Sequence, residues 1–259
     1  MAAMAAMVGI DQLGLSESQL ETLKEFSLKN ADRLKKASTS MSTNCDDNEW
    51  TRNSTSNTDL MLDVWSSSVP NNPLKMFRAH CVFENYTPKQ VYEFLMDNDT
   101  RLKWDQNVCH LNVTPLKIDV DTGETLVILN CRTNAVGPIS GRDFVDVCCW
   151  KRTPSENGDG EDFDTYISAG ATYLENEEIR SLIEKAFPLP KGFIRGKNYS
   201  GCGWHISGFK SEDGVPTTTV SYVIHSSLEG WFPVIIINNA ISGSYVDFFK
   251  NSKAALQKK

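Results

Sequence analysis

The sequence predicts an α+β fold in which an antiparallel sheet packs against a long C-terminal helix. Apolar residues recur at helical spacing near both ends of the chain, after Ser16 and after Pro233. Between them lie several short segments with the alternating or β-branched pattern of strands. No crossover helix separates the last of these segments, so we expect antiparallel neighbours rather than a parallel sheet.

The first part of the chain predicts three helices and one strand. Ser16–Gln19 is a capping box, and it opens a helix in which Leu20 and Leu23 begin the apolar face. Residues 1–15 would form a tail, and residues 38–58, rich in Ser, Thr and Asn, predict a flexible segment. Residues 74–85 alternate as a strand does, and Thr87-Pro88 then begins a helix. Residues 99–106 predict a second short helix.

The remaining chain predicts the sheet and its closing helix. Residues 111–120 and 126–133 form a hairpin signal around the turn at 121–124, and a loop with Gly137-Pro138 follows. Strands are predicted at 144–151, 163–173, 193–197, 203–208 and 217–226, with a short helix at 175–186. Residues 233–256 predict the last helix, which begins at a proline.

Composition excludes several classes of function. The 259 residues carry a net charge of −7, so no overall basic field favours nucleic acid. The seven cysteines include no C-x-x-C pair, and we expect no metal and no cofactor. No stretch reaches the roughly 20 apolar residues of a membrane span. We therefore expect a cytoplasmic monomer that touches membranes only transiently.

Five short motifs in order resemble a known family. They are Arg101-x-x-Trp104-Asp105, Ser140-Gly-Arg142-Asp143-Phe144, Gly192-Phe-Ile-Arg195-Gly, Gly203-Trp-His-Ile206 and Leu228-Glu-Gly-Trp231-Phe-Pro233. Together they resemble the START (StAR-related lipid-transfer) domain, including its phosphatidylcholine-transfer-like members. The resemblance spans residues 16–259. It implies a helix-grip fold, a curved sheet of about nine antiparallel strands around the C-terminal helix, with an internal lipid tunnel.

The resemblance also implies a function without covalent chemistry. We expect a carrier that encloses one glycerophospholipid and moves it between membranes, gated by the C-terminal helix and adjacent loops. Enclosure is needed because each methylene exposed to water costs about 0.8 kcal/mol. A sterol, ceramide or fatty-acid carrier is the alternative. An enzyme on the same fold is a third hypothesis, but the sequence offers no evident Ser-His-Asp or Cys-His arrangement.

The expected lipid site lies on the sheet and the last helix. In residues 144–150, Phe144, Asp146, Cys148 and Trp150 share one strand face. We expect a buried Asp146 to pair with Arg132 and orient the head group; the alternative is a solvent-exposed Asp146. The full set of expected lipid contacts is Arg132, Asp146, Cys148, Trp150, Tyr222, Ile224, Ile235, Ile237, Asn238 and Ile241.

The expected gate combines a loop and the start of the last helix. Val136, Gly137 and Pro138 form the loop, and Trp231 and Phe232 precede the helix. Two large apolar residues beside Pro233 suit contact with a bilayer interface. Ordinary core packing of Trp231 and Phe232 is the alternative.

Overall fold

The computed structural model describes residues 13–39, 44–45, 48–119, 123–135, 139–155, 163–231 and 233–258. The helices are α1 Glu17–Thr39, α2 Pro88–Met96, α3 Asn98–Trp104, α4 Glu177–Ala186 and α5 Val234–Leu256. The strands are β1 Asn44–Cys45, β2 Asn48–Arg52, β3 Leu62–Val69, β4 Asn72–Glu84, β5 Val108–Asp119, β6 Glu124–Thr133, β7 Arg142–Thr153, β8 Thr165–Ala171, β9 Ile194–Arg195, β10 Lys197–Asn198, β11 Cys202–Lys210, β12 Pro216–Ile224 and β13 Ser226–Ser227.

One large open sheet dominates the fold. Its strands follow the order β1-β2-β3-β4-β12-β11-β8-β7-β6-β5, with each pair antiparallel. The short β9 is an exception, because it pairs in parallel with β7. β10 and β13 form a separate two-stranded ribbon. The predicted antiparallel α+β fold with a long C-terminal helix is confirmed.

The two faces of the sheet are covered by different helices. On the outer face, α1 packs against β7, β8, β11 and β12, with Leu23 and Leu34 fully buried. On the inner face, α5 packs on β3, β4 and α3. Strand alternation sends Phe77 and Ala79 of β4 inward into this second cluster, together with Tyr245 of α5. The half of the inner face formed by β5–β7 lies beside this core rather than under α5.

β2 replaces part of the predicted flexible segment. Residues 48–52 pair with β3, and hydrogen-bonded turns follow through Asn57. Trp50 is only 4% exposed, and the Arg78 guanidinium carbon lies 4.4 Å from its ring centroid. A buried aromatic ring with a stacked cation stabilises this strand despite its polar neighbours. Over residues 48–52 a paired strand thus replaces the flexible segment expected from the sequence, whereas residues 40–43, 46 and 47 lie outside the described residues.

The short helices follow the sequence signals closely. Thr87 caps α2, accepting a hydrogen bond from the backbone of Gln90, whose side chain accepts in return. Asn176 caps α4, and that helix occupies nearly the whole predicted range. Within the described residues, no helix has both the length and the apolar character needed to cross a bilayer.

Candidate functional site

The inner face of β5–β7 carries apolar side chains that stand outside the packed hydrophobic clusters. Leu111 and Val113 of β5, and Leu129 and Cys131 of β6, point to this face by their register. All four are only partly buried, and none belongs to the three packed clusters of the protein. They form the apolar wall of a space beside α5.

Two further residues mark the depth of this region. Burial raises the pKa of Cys131 to about 12, and burial likewise raises the pKa of Tyr222 on β12. Both residues nevertheless keep some accessible surface. We take the region between β5–β7, β12, α3 and α5 as the candidate lipid site and refer to it as the inner hollow.

Aromatic rings form the wall nearest α5. The ring of Tyr222 lies 5.3 Å from Phe248, 5.4 Å from Tyr245 and 5.6 Å from Trp204. The Tyr245 hydroxyl donates to the carbonyl of Phe77. The Tyr222 hydroxyl makes no hydrogen bond to any described residue, so it is available to a guest in the hollow.

A buried ion pair lies beside the same rings. Arg101 and Asp105, one turn apart at the end of α3, join through Nε and Oδ2 at 3.0 Å. The guanidinium carbon lies 4.8 Å from the ring centroid of Trp204. The sequence analysis used this segment only as a motif of the family resemblance and missed the pair. Its signal was an Arg and an Asp at i and i+4 around a tryptophan.

Asp146 occupies the inner face of β7 and forms no ion pair with any described residue, although the charge of Arg195 acts on it. Its Oδ1 accepts from the Thr172 hydroxyl at 2.9 Å, and its Oδ2 accepts from Asn198 Nδ2 at 2.6 Å. Burial raises the pKa of Asp146 to about 6, and the two hydrogen bonds oppose that rise. Asn198 belongs to β10 and also accepts from Ser226 of β13. The carboxylate thus anchors the ribbon that leads to α5.

The predicted Arg132–Asp146 pair is wrong. Arg132 stands opposite Asp143 in the β6–β7 register, whereas Asp146 stands opposite Leu129. Because successive side chains alternate, Arg132 and Asp143 point to the outer face and Asp146 to the inner face. Arg132 Nε donates to Asp143 Oδ1 at 3.0 Å. The alternative of a solvent-exposed Asp146 is also excluded, because the residue is buried.

The other expected lipid contacts divide into three groups. The inner sheet face carries Cys148, Trp150, Tyr222 and Ile224, whose contact with a lipid stays a prediction. Ile237 and Ile241 are buried in the core under α5, and the Asn238 side chain accepts from the backbone of Lys75. Ile235 is a correction: it is 69% exposed, because it lies on the opposite side of α5 from the buried Ile237 and Ile241.

The approach to α5 exposes large apolar side chains. Trp231 is 94% exposed, which excludes the core-packing alternative for this residue. Arg142 holds the preceding turn, because its Nε donates to the Leu228 carbonyl at 2.5 Å and its Nη2 to Glu229 at 3.1 Å. The predicted gate residues Val136, Gly137, Pro138 and Phe232 lie outside the described residues.

No group of His, Cys, Asp and Glu side chains among the described residues has the arrangement of a metal site.

Comparison with known proteins gives a family and several relatives. A family model described as START domain matches residues 35–259. Steroidogenic acute regulatory protein from Xenopus laevis is 30% identical over 184 residues, which cover 70% of this chain and 55% of that protein. The mitochondrial protein of the same name from Homo sapiens is 30% identical over 199 residues, 75% of this chain and 59% of that protein. The chain thus spans little more than half the length of these relatives.

Solved structures agree at the level of the fold. Human StAR-related lipid transfer protein 5 superposes with a TM-score of 0.66 at 19% identity, covering 92% of this chain and 98% of that one. The lipid transfer and protein localization domain of human StarD13 gives a TM-score of 0.52 at 19% identity, over 78% of this chain and 88% of that one. With its motifs, its sheet and the match over residues 35–259, this chain belongs to the START domain family, whose members bind or transport lipids.

Proposed function

We propose that the protein is a carrier that encloses one lipid bearing a small uncharged polar group, of the sterol class, in the inner hollow. One observation carries this proposal. The hollow presents an unpartnered hydroxyl, that of Tyr222, while the cationic side chains near it are already engaged. A lipid hydroxyl would gain a hydrogen bond there, whereas a phosphate would find no free cation among the residues that the structure describes around the hollow.

The engagement of the cations can be followed residue by residue. Arg101 is paired with Asp105 at 3.0 Å. Arg142 donates from Nε, Nη1 and Nη2 to the carbonyls of Leu228, Ser140 and Glu229. Arg132 lies on the outer face. A buried charge without a partner is strongly unfavourable, whereas a buried hydroxyl requires only one good hydrogen bond.

The glycerophospholipid expected from the sequence loses its main support in this arrangement. That expectation depended on Arg132 reaching a head group together with Asp146, and the two side chains point to opposite faces of the sheet. The relatives named steroidogenic acute regulatory protein add support for a sterol-class guest, as an analogy.

The proposal includes transient contact with a membrane and no catalytic step. Trp231 and Ile235 expose apolar surface where the ribbon joins α5, and such side chains favour the interfacial region of a bilayer. We propose that this end of α5 docks on the membrane while the lipid enters or leaves, that the protein works as a monomer, and that it otherwise remains in the aqueous phase.

A transfer assay with two lipids tests the proposal. Donor vesicles would contain either dehydroergosterol or a fluorescent phosphatidylcholine, and transfer to acceptor vesicles would be followed by energy transfer. We expect the protein to accelerate sterol transfer and to leave phosphatidylcholine transfer near its spontaneous rate. Transfer of phosphatidylcholine alone would overturn the assignment of a sterol but not the function as a lipid carrier. If neither lipid is transferred or bound, the function as a lipid carrier is excluded.

A further inference from the structure

We propose that the outer face of the sheet holds a second binding site, for a small water-soluble organic anion. The structure contains a cleft of about 450 Å³ between this face and the C-terminal end of α4. Its lining includes His110, Asn112 and Thr114 of β5, Asn130 and Arg132 of β6, and Phe187 just after α4. A cleft of this size accommodates a small molecule rather than a lipid chain.

The cleft is separate from the inner hollow. Its sheet residues pair as His110–Arg132, Asn112–Asn130 and Thr114–Ile128, and alternation places all of them on the outer face. Leu111, Val113 and Cys131, which line the hollow, point the other way. The sheet therefore stands between the two spaces, and the second site does not depend on the proposed lipid function.

The charges around the cleft leave one cation in excess. Asp143 is the single carboxylate between two arginines, with Arg132 Nε at 3.0 Å and Arg195 Nη1 at 3.1 Å. The described residues that line the cleft include no acid. One carboxylate cannot neutralise two guanidinium groups, so the local charge is positive although the whole chain carries −7.

Arg132 is the cation available to a ligand. Arg195 is engaged twice, because its Nη2 also donates to the Phe187 carbonyl at 2.6 Å. The Arg132 side chain is 27% exposed, and its Nη1 makes no hydrogen bond to any described residue. A guanidinium group held through Nε can still present its outer nitrogens to a phosphate or a carboxylate.

The remaining walls supply a polar rim and an apolar side. Asn112 and Thr114 offer neutral hydrogen-bonding groups near Arg132. Burial and the neighbouring Arg132 lower the pKa of His110, which favours the neutral form of this imidazole. Phe187, Pro188 and Leu13 form the apolar side. The ligand class is thus one anionic group attached to a compact apolar body.

Calorimetric titration of the full chain tests the proposal with phenyl phosphate and benzoate as probes. We expect saturable binding of at least one probe with a Kd on the order of 1 mM or tighter. R132Q should weaken binding roughly tenfold or more, because the charged donor is lost. R152Q is the matched control, since Arg152 pairs with Asp164 elsewhere on β7 and should retain binding.

Folding and ligand source need separate checks. F187A serves as a second variant in case R132Q proves unstable. It alters the apolar side of the cleft without touching the charges, and it should also weaken phenyl phosphate binding. Vesicles containing phosphatidic acid test whether the same chemistry serves a lipid headgroup instead. Arg132-dependent binding of vesicles without binding of either probe would overturn the proposal of a water-soluble ligand. Equal binding by wild type and R132Q, or no saturable binding at all, would overturn the site.

Discussion

Asp146 is a carboxylate held on the inner face of β7 by two hydrogen bonds rather than by an ion pair. The alternation of residues 144–150 correctly predicts that Asp146 shares a face with Cys148 and Trp150. The partner across the sheet could not be predicted, because the register between β6 and β7 depends on the intervening loop. A shift of three residues separates the observed partner of Arg132, Asp143, from the expected one.

The raised pKa of Asp146 predicts a pH effect on stability. Its folded pKa of about 6 lies above the ordinary value of 3.8, so the native state binds the proton more tightly. The resulting stabilisation is complete below pH 4 and is lost as the pH rises to 6, a change on the order of 3 kcal/mol. In D146N this contribution should vanish.

The test must compare two pH profiles, because buried histidines act in the opposite direction. Burial lowers the pKa of both His80 and His205 from 6.5 to about 4. Protonation of these two side chains therefore lowers the stability of the folded protein as the pH falls through the same range. Urea unfolding between pH 4 and 7 should therefore show a steeper acid loss in D146N than in wild type. Parallel profiles would contradict the placement of a buried, titrating Asp146.

The Tyr222 hydroxyl gives a second prediction for a single residue. Y222F removes one hydrogen bond to the guest, about 1 kcal/mol, and should weaken sterol binding roughly fivefold with the fold intact. Y173F is the matched control, because Tyr173 packs against Phe26 of α1 on the outer face. Fluorescence titration with dehydroergosterol measures both. Equal affinities in the two variants would show that Tyr222 does not contact the guest.

Among the secondary-structure elements, β2 shows where composition misleads. Ser, Thr and Asn dominate residues 38–58, and this composition indicates a flexible segment. Trp50 outweighs this composition, because burial of its indole ring stabilises the strand by more free energy than the exposed polar residues cost. Such pairing is a long-range effect that local sequence does not encode.

Replacement of Trp50 tests this strand. W50A should lower the free energy of unfolding by about 3 kcal/mol, as expected for a buried aromatic ring. T51A, which changes an exposed neighbour on the same strand, should shift it by less than about 0.5 kcal/mol. Urea unfolding measures both. A small effect of W50A would mean that residues 48–52 are loosely attached.

The start of α5 carries the prediction on membrane contact. W231S combined with I235S removes exposed apolar surface and should slow sterol transfer roughly tenfold. Sterol affinity in solution should stay unchanged, since neither side chain is buried. F209S is the control, because Phe209 is also exposed but lies on β11. If F209S slows transfer as much as the double variant, the contact is not located at α5.

For the whole molecule, the sequence predicts the class of fold better than its internal arrangement. Each strand signal is local, so the antiparallel α+β class and the closing helix follow from the pattern. The sheet order, with β4 beside β12 and β8 beside β11, depends on contacts between distant segments. The same limit applies to the hollow and to the outer cleft, which appear only when distant strands and helices are assembled.

The proposed function requires that the inner face enclose one sterol-class lipid. Native mass spectrometry of the chain, purified from sterol-containing cells and followed by lipid extraction, would detect such a guest. We expect a complex of one chain with one guest, and a sterol in the extract. A chain that carries no guest, even after incubation with sterol-containing vesicles, would contradict the claim.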